Sequence, residues 1–286
     1  MAVKGAAPLQ TRKGALLASR ARMATCYRHP GRETGVSCSN CGRPICPDCM
    51  TPTPVGMRCP ECSRERTPVR TMSSLGGDPV LTYVLIGINV VLFFGSRGAS
   101  NAYADLELDP TKVADGEVWR LVTGAFLHAQ GSFGFLHIGF NMYLLWILGQ
   151  MLEPSIGKWR FGAIYFASLL TGALGAVIAN PDSSTVGASG AVFGLMGAGV
   201  VFLRARGIDP MQSGLGPTIL INLLLPFFAP GLHISIGGHV GGLIGGFIAG
   251  YAVTQLSGRR ASAVLPVLAC GALGVAAAVA AYLAAP

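Results

Sequence analysis

The chain has 286 residues, 51% of them hydrophobic and only 12% charged, with a mean hydropathy of +0.53. That balance excludes a water-soluble domain of this length and points to an integral membrane protein. The net charge of +8 is unevenly held: residues 1–79 contain 12 of the 21 Lys and Arg but only 5 of the 13 Asp and Glu. Two domains are therefore expected, a basic N-terminal one and an apolar remainder.

Residues 1–25 open with MAVKGAAPLQTRKGALLASRAR, which is basic, has no acid and lacks the apolar core of a secretory signal. This segment reads as a disordered start, or as an over-long start with Met23 as the true initiator. A mitochondrial transit peptide is the lesser reading, because Arg-rich, Lys-poor, Ala- and Gly-heavy usage looks like that of a bacterial chain from a GC-rich genome.

Seven of the eight cysteines fall between Cys26 and Cys62, while Cys270 stands alone in an apolar run and reads as a buried small residue. Thiols clustered in a basic segment indicate metal binding in a reducing cytoplasm rather than disulfides. The order is Cys26-x2-His29, eight residues, Cys38-x2-Cys41, four residues, Cys46-x2-Cys49, nine residues, Cys59-x2-Cys62. A two-residue gap lets both members of a pair reach one tetrahedral ion, so eight ligands suit two closed zinc sites. Residues 26–62 carry Pro30, Pro44, Pro47 and Pro60 and few aliphatic side chains, so metal binding would supply the folding energy that a small core lacks. Spacing alone leaves open which pairs share an ion. The pattern resembles a B-box-type zinc finger, and that resemblance implies a cross-brace, first pair with third and second with fourth. Such a module would either dock a cytoplasmic protein partner or serve as an inert folded cap. Residues 63–78 read as a polar linker.

Beyond them, seven apolar stretches are long enough to be membrane-spanning helices: 79–95, 134–152, 160–179, 187–203, 214–230, 235–255 and 262–284. Positive charge sets their orientation. With the N-terminal module in the cytoplasm, Lys158 and Arg160, Arg204 and Arg206, and Arg259 and Arg260 all fall on that side. The acidic loop between the first two spans, the segment NPDSS and the C-terminus then lie outside. Parity also predicts depth. Spans two, four and six all run inward, which puts His137 and Asn141, Ser189, and His239 at one level near the outer face. Polar groups inside a membrane cost free energy unless paired, so their convergence marks a functional site.

A serine hydroxyl needs a base to take its proton, and an imidazole is the usual one. Ser189 and His239 fit that dyad, while His137, Asn141 and the Ser189 backbone N–H suit an oxyanion. His137 and Asn141 stand at i and i+4 on one helix face. Gly238, Gly242, Gly246 and Gly250 on span six, with Gly190, Gly194 and Gly197 on span four, form small-residue faces that would bring Ser189 within hydrogen-bond reach of His239.

The segments GASG around Ser189, GGHVGGLIGG around His239, HIGFN for His137 and Asn141, and EVWRLVTGAFLHA before them resemble the rhomboid family of intramembrane serine proteases. The resemblance covers residues 79–255. It implies an all-α polytopic membrane protein, with a six-helix rhomboid core and a seventh C-terminal helix (256–286), preceded by the small zinc-binding domain. By resemblance Ser189 is the nucleophile and His239 the base; His137 and Asn141 stabilise the oxyanion, and Gly187 opens the nucleophile motif. Trp119 and Arg120 match a structural dipeptide, and His128 matches a loop histidine without an assigned catalytic duty. The stretch from Ala129 to Leu136 is longer than the family pattern. No cofactor for catalysis and no nucleic acid partner are implied. The substrates would be transmembrane segments of other proteins in a bacterial plasma membrane, cleaved near the outer face beside small residues. The NPDSSTVG loop and His233 are candidates for a water path, with an ordinary solvated loop as the plainer reading. The competing function is a non-catalytic rhomboid-like adaptor that binds transmembrane clients. A ubiquitin-ligase-like reading rests only on the eight metal ligands.

Overall fold

The structure is a computed structural model and describes residues 24–64, 77–97, 100–131, 133–228, 234–257 and 264–286. The basic start, linker residues 65–76, His233, Arg259 and Arg260 lie outside the described residues. Contacts divide the chain into two compact units, Met1–Val69 and Arg70–Pro286.

The first unit is built from two short hairpins. Strands β1 (Ala24–Thr25) and β2 (Glu33–Thr34) pair antiparallel, as do β3 (Thr51–Thr53) and β4 (Gly56–Arg58). A 3-10 turn covers Pro47–Cys49 and helix α1 covers Pro60–Arg64. Its buried cluster consists of six cysteines and Ile45, with Tyr27 and Met50 packed against it. Cysteine sulfur thus replaces the aliphatic core that so short a segment cannot assemble.

The second unit is helical. Its apolar helices are α2 (Val80–Ser96), α6 (Gly134–Ile156), α7 (Lys158–Ala179), α8 (Ser189–Ala205), α9 (Leu215–Phe228), α10 (Ile236–Leu256) and α11 (Leu265–Ala284); short helices α3 (Ser100–Leu106), α4 (Pro110–Ala114) and α5 (Arg120–Thr123) fill the loop after α2. Four of them, α6, α7, α10 and α11, are long and apolar enough to cross a membrane, while α2, α8 and α9 are shorter apolar helices. The 14 residues of α9 reach about 21 Å, less than the roughly 30 Å hydrocarbon thickness. Their outward surface is apolar, with Val91, Ile221 and Phe228 all strongly exposed, as the lipid-facing side of a membrane protein requires.

Backbone meets backbone where α10 lies on α8 and α7. A methyl group on Gly246 would strike the Gly194 carbonyl, one on Gly242 the Gly190 carbonyl, and one on Gly250 would stand 2.7 Å from the Ala198 Cα. A second glycine stripe on α10 faces α7: Gly237 meets Gly175, and Gly241 meets the Thr171 carbonyl. Gly238 does not continue the α8-facing stripe as its spacing predicts. It sits where three helices converge, and a Cβ on Gly172 of α7 would lie 3.1 Å from both the Gly238 carbonyl and the Gly190 Cα.

Helix α6 runs past the expected end at residue 152 and carries Glu153, 3% exposed, within its last turns. The carboxylate accepts from the Leu81 and Thr82 N–H groups at 2.8 Å each and from the Thr82 hydroxyl at 2.7 Å. It therefore caps the start of α2, where N–H groups have no carbonyl one turn earlier.

Gly246→Val is expected to lower the thermal unfolding midpoint in detergent, by overpacking worth about 1–3 kcal/mol or more. Gly271→Val, where a Cβ meets nothing within 4 Å, is expected to leave it unchanged. Equal midpoints for the two variants would contradict this packing.

Candidate active site and metal-ligand clusters

Ser189 is the first residue of α8, so its N–H has no helical partner. Gly187, two residues before it, has φ +129°, a conformation that side chains bearing a Cβ rarely adopt. The segment leading to Ser189 is tied at two points. Thr185 exchanges backbone hydrogen bonds with Leu108 of the first loop (3.1 and 2.8 Å), and Gly187 N–H donates to the Gly124 carbonyl at 3.0 Å. NPDSSTVG is thus anchored at its C-terminal end rather than freely solvated.

His239 is buried in the first turn of α10. Ser235 caps that turn by accepting from the Gly238 N–H at 3.1 Å. The His239 ring stacks face to face on Phe193, with centroids 4.0 Å apart and planes 20° from parallel. Phe193 is one helical turn after Ser189, on the same face of α8, so the stack ties His239 to the turn of α8 that follows Ser189. No hydrogen bond joins Ser189 to His239 among the described residues, and His239 Nδ1 is buried without a partner. In substrate-free enzymes such bonds are often long and tighten when the reacting complex forms.

The Ala129 N–H donates to His137 Nδ1 at 3.3 Å. Nδ1 is thereby the acceptor, and the proton of a neutral ring sits on Nε2. That nitrogen and Ser189 Oγ lie 3.0 and 3.8 Å from the point where a Gly187 Cβ would stand. Asn141 is buried and turns its amide back to the His137 carbonyl at 2.8 Å, which leaves a second N–H of that amide to donate. His128 is fully buried, edge-on to His137 at 5.2 Å, with neither ring nitrogen hydrogen-bonded. Arg120 staples the first loop: it pairs with Glu117 at 2.6 Å and donates to the Ala104 and Glu107 carbonyls at 2.7 and 3.0 Å. Trp119 is about half exposed. A cavity of about 40 Å³ adjoins Ser189, lined also by Gly187, Thr185, Ser235, Leu108 and Leu121.

Two residues in this geometry escape sequence reasoning. Phe193 reads as packing, although an aromatic ring one turn after a serine nucleophile is a signal for a stacking plate. The Ala129 N–H carries no side-chain signal.

In the N-terminal unit the ligand atoms gather into two groups, Cys26, His29, Cys46 and Cys49, and Cys38, Cys41, Cys59 and Cys62, each within 4.8 Å. First pair joins third and second joins fourth. His29 Nδ1 lies 3.8, 3.3 and 3.4 Å from the sulfurs of Cys26, Cys46 and Cys49, and Cys41 and Cys59 sulfurs are 3.8 Å apart. Ligands about 2.3 Å from a tetrahedral ion are about 3.8 Å from one another, so both groups fit a metal ion. The Arg43 guanidinium, 3.2 Å from the Cys41 sulfur, holds that thiol below its ordinary range, and it offsets charge at the all-cysteine group. Tyr27 donates to Glu61 and brings its carboxyl down to about 2.

The family profile described as Rhomboid domain matches residues 115–256. The chain is 37% identical over 190 residues to YdcA of Bacillus subtilis (strain 168), which bears the name of rhomboid protease provisionally; the match covers 64% of this chain and 92% of YdcA. It is 35% identical over 171 residues to the rhomboid protease GluP of the same organism, covering 57% of this chain and 33% of GluP, so the chain spans about a third of that relative's length. Rhomboid-type serine protease 2 of Emericella nidulans is 32% identical over 139 residues, 48% of this chain and 27% of that protein. The chain belongs to the rhomboid family, and these relatives are named as proteases.

Gly187→Ala is expected to cost about 1–3 kcal/mol, seen as a lowered unfolding midpoint, because a methyl there meets the His137 ring in a disfavoured backbone conformation. An unchanged midpoint would contradict the described loop geometry.

Proposed function

We propose that the protein is an intramembrane serine endopeptidase that uses Ser189 and His239 to cut transmembrane segments of other membrane proteins near their outer ends. The observation that carries this reading is the His239 ring stacked on Phe193, one turn from a Ser189 hydroxyl that begins its helix. In the reaction, His239 takes the hydroxyl proton as Ser189 Oγ bonds to the scissile carbonyl carbon, and the carbonyl electron pair moves onto oxygen. The Ser189 N–H, His137 Nε2–H and Asn141 amide are the donors to that oxyanion. His239 then gives its proton to the leaving amine, and the C–N bond breaks to leave an acyl-enzyme. Water, its proton taken by His239, attacks the ester carbonyl carbon to give a second tetrahedral oxyanion; this collapses to the carboxylic acid product as the C–Oγ bond breaks, and Oγ takes the proton back from His239. These steps use no metal.

The N-terminal module is read as a structural unit with one zinc ion in each ligand group, since closed four-ligand sites of cysteine and histidine suit zinc and leave no open position for chemistry. We place it in the cytoplasm of a bacterium, with the C-terminus outside, on the strength of Lys158, Arg160, Arg204 and Arg206. There it would engage a cytoplasmic protein partner. The domain scheme that follows is zinc module 26–62, linker 63–78, protease core 79–255 and seventh span 256–286. The missing Ser189–His239 hydrogen bond is the observation that favours the alternative, a non-catalytic adaptor for transmembrane clients.

Purified protein in liposomes is expected to cleave a model transmembrane substrate, and Ser189→Ala and His239→Ala are expected to reduce the rate at least about a thousandfold. Equal cleavage by both variants and the parent would refute the dyad; no cleavage by the parent would favour the adaptor. Elemental analysis is expected to find two zinc ions per chain, falling to one in Cys46→Ser. A chain starting at residue 71 is expected to retain cleavage, and its loss would count against a purely structural metal.

A further inference from the structure

The eight ligand residues of the N-terminal unit are not equally sheltered. In the group of Cys26, His29, Cys46 and Cys49 the cysteines are buried and the histidine is partly exposed; in the other, Cys38, Cys59 and Cys62 are buried and Cys41 alone is exposed. Cys41 stands in the turn that Gly42, at φ +74°, closes by donating its N–H to the Cys38 carbonyl at 2.9 Å. Arg43 follows, and its guanidinium donates to the Cys41 sulfur at 3.2 Å and to the Cys59 sulfur at 3.8 Å. That cation is fixed in place. It lies over the Tyr27 ring, 4.6 Å from the centroid, and pairs with Glu61 at 3.7 Å, while Glu61 also accepts from the Tyr27 hydroxyl and pairs with Arg28 at 2.9 Å. A metal–sulfur bond opens with the electron pair left on sulfur, so a cation held against that sulfur favours opening. The seven other ligands lack this combination of exposure and a neighbouring guanidinium.

We infer that Cys41 is a site of oxidation by hydroperoxides, and that a Cys41–Cys59 disulfide forms there and empties the all-cysteine group while the histidine-containing group keeps its ion. The inference rests on the reading of both groups as filled zinc sites and is independent of the protease chemistry. In the first step the Cys41 thiolate attacks one peroxide oxygen; the O–O bond breaks, hydroxide leaves, and the sulfur becomes a sulfenic acid. The Cys59 sulfur stands 3.8 Å away. Its thiolate then attacks the Cys41 sulfur, the S–O bond breaks, and a second hydroxide leaves as the disulfide forms. Two thiolates have lost two electrons in all, the peroxide has gained them, and the zinc ion departs with its charge unchanged. Cys38 and Cys62 remain as thiols, too few to hold the ion. Because the buried cluster of this unit is six cysteines and Ile45, loss of one ion removes much of what folds it.

The test uses the full chain in detergent, purified without reductant and assayed first for its zinc content. Hydrogen peroxide is added, released zinc is followed with a chromophoric chelator, and the remaining thiols are alkylated for peptide mapping by mass spectrometry. About one of the two zinc ions is expected to leave, with the peptides of Cys41 and Cys59 joined and Cys26, Cys46 and Cys49 unoxidised. Dithiothreitol and added zinc are expected to restore the starting state. Cys41→His, which keeps a ligand but has no oxidisable sulfur, is expected to release zinc at least about tenfold more slowly. If that variant fails to hold two ions, the peptide map of the parent decides. Release of both ions together, or a first disulfide that leaves out Cys41 or Cys59, in a protein that began with two zinc ions overturns this inference alone. A parent that contains no zinc overturns the structural-zinc reading and this inference with it.

Discussion

The contact on which the rest of the membrane unit depends is the junction of Gly172, Gly190 and Gly238, one glycine from each of α7, α8 and α10. A Cβ on Gly172 would stand 3.1 Å from both the Gly190 Cα and the Gly238 carbonyl, and one on Gly190 would stand 3.3 Å from the Gly172 Cα, so the three backbones meet with almost no room between them. Below it Gly242, Gly246 and Gly250 continue the contact along α8, while Gly237 and Gly241 do the same against α7. Between apolar helices in lipid there is little hydrophobic drive to associate, so close backbone packing is a main source of attraction. The neighbours of the junction residues are Ser189 and His239. Close packing of α8 against α10 therefore sets how near Ser189 and His239 can come, with the Phe193 ring stacked on the His239 imidazole.

Around this junction the loops are held by hydrogen bonds rather than left to solvent. Arg120, 4% exposed, closes the first loop on two of its own carbonyls, and the loop in turn binds the segment leading to Ser189 through Leu108–Thr185 and Gly124–Gly187. The Ala129 N–H fixes which His137 nitrogen is the acceptor. At the other end of α6, Glu153 caps α2. The Leu108–Thr185, Gly124–Gly187 and Glu153–α2 bonds join elements far apart in sequence, so the polar groups are positioned by the scaffold as well as by local turns, the arrangement a preorganised site needs.

Much of this was legible in the sequence because apolar length and four-residue glycine spacing are strong one-dimensional signals. Among the described residues seven apolar helices lie close to the expected stretches, and helix direction marks Ser189, His239, His137 and Asn141 as candidates from the sequence alone. The metal-ligand pairing came from family resemblance, since a two-residue gap defines a pair but not its partner. What stayed hidden depends on three-dimensional contact. The α7-facing glycine stripe overlaps the α8-facing one and looks like surplus glycine. Glu153 fell one residue beyond the expected end of span two and seemed to be outside the membrane segment; only its contact with Leu81 and Thr82 makes it a buried cap. Helices α3 to α5 are too short to leave a periodic pattern. Asn141 reads as a forward donor, yet half of its amide is spent on its own helix.

The central claim is that glycine packing holds His239 against Ser189 in a reactive pair. Its most direct measurement is peptide mapping by mass spectrometry after reaction with a peptidyl chloromethyl ketone, whose ketone carbon captures a serine oxygen and whose methylene alkylates a neighbouring imidazole. The account predicts one bridged adduct joining the peptides that contain Ser189 and His239, absent in Ser189→Ala. Separate adducts elsewhere, or a His239 adduct formed equally in that variant, would contradict it.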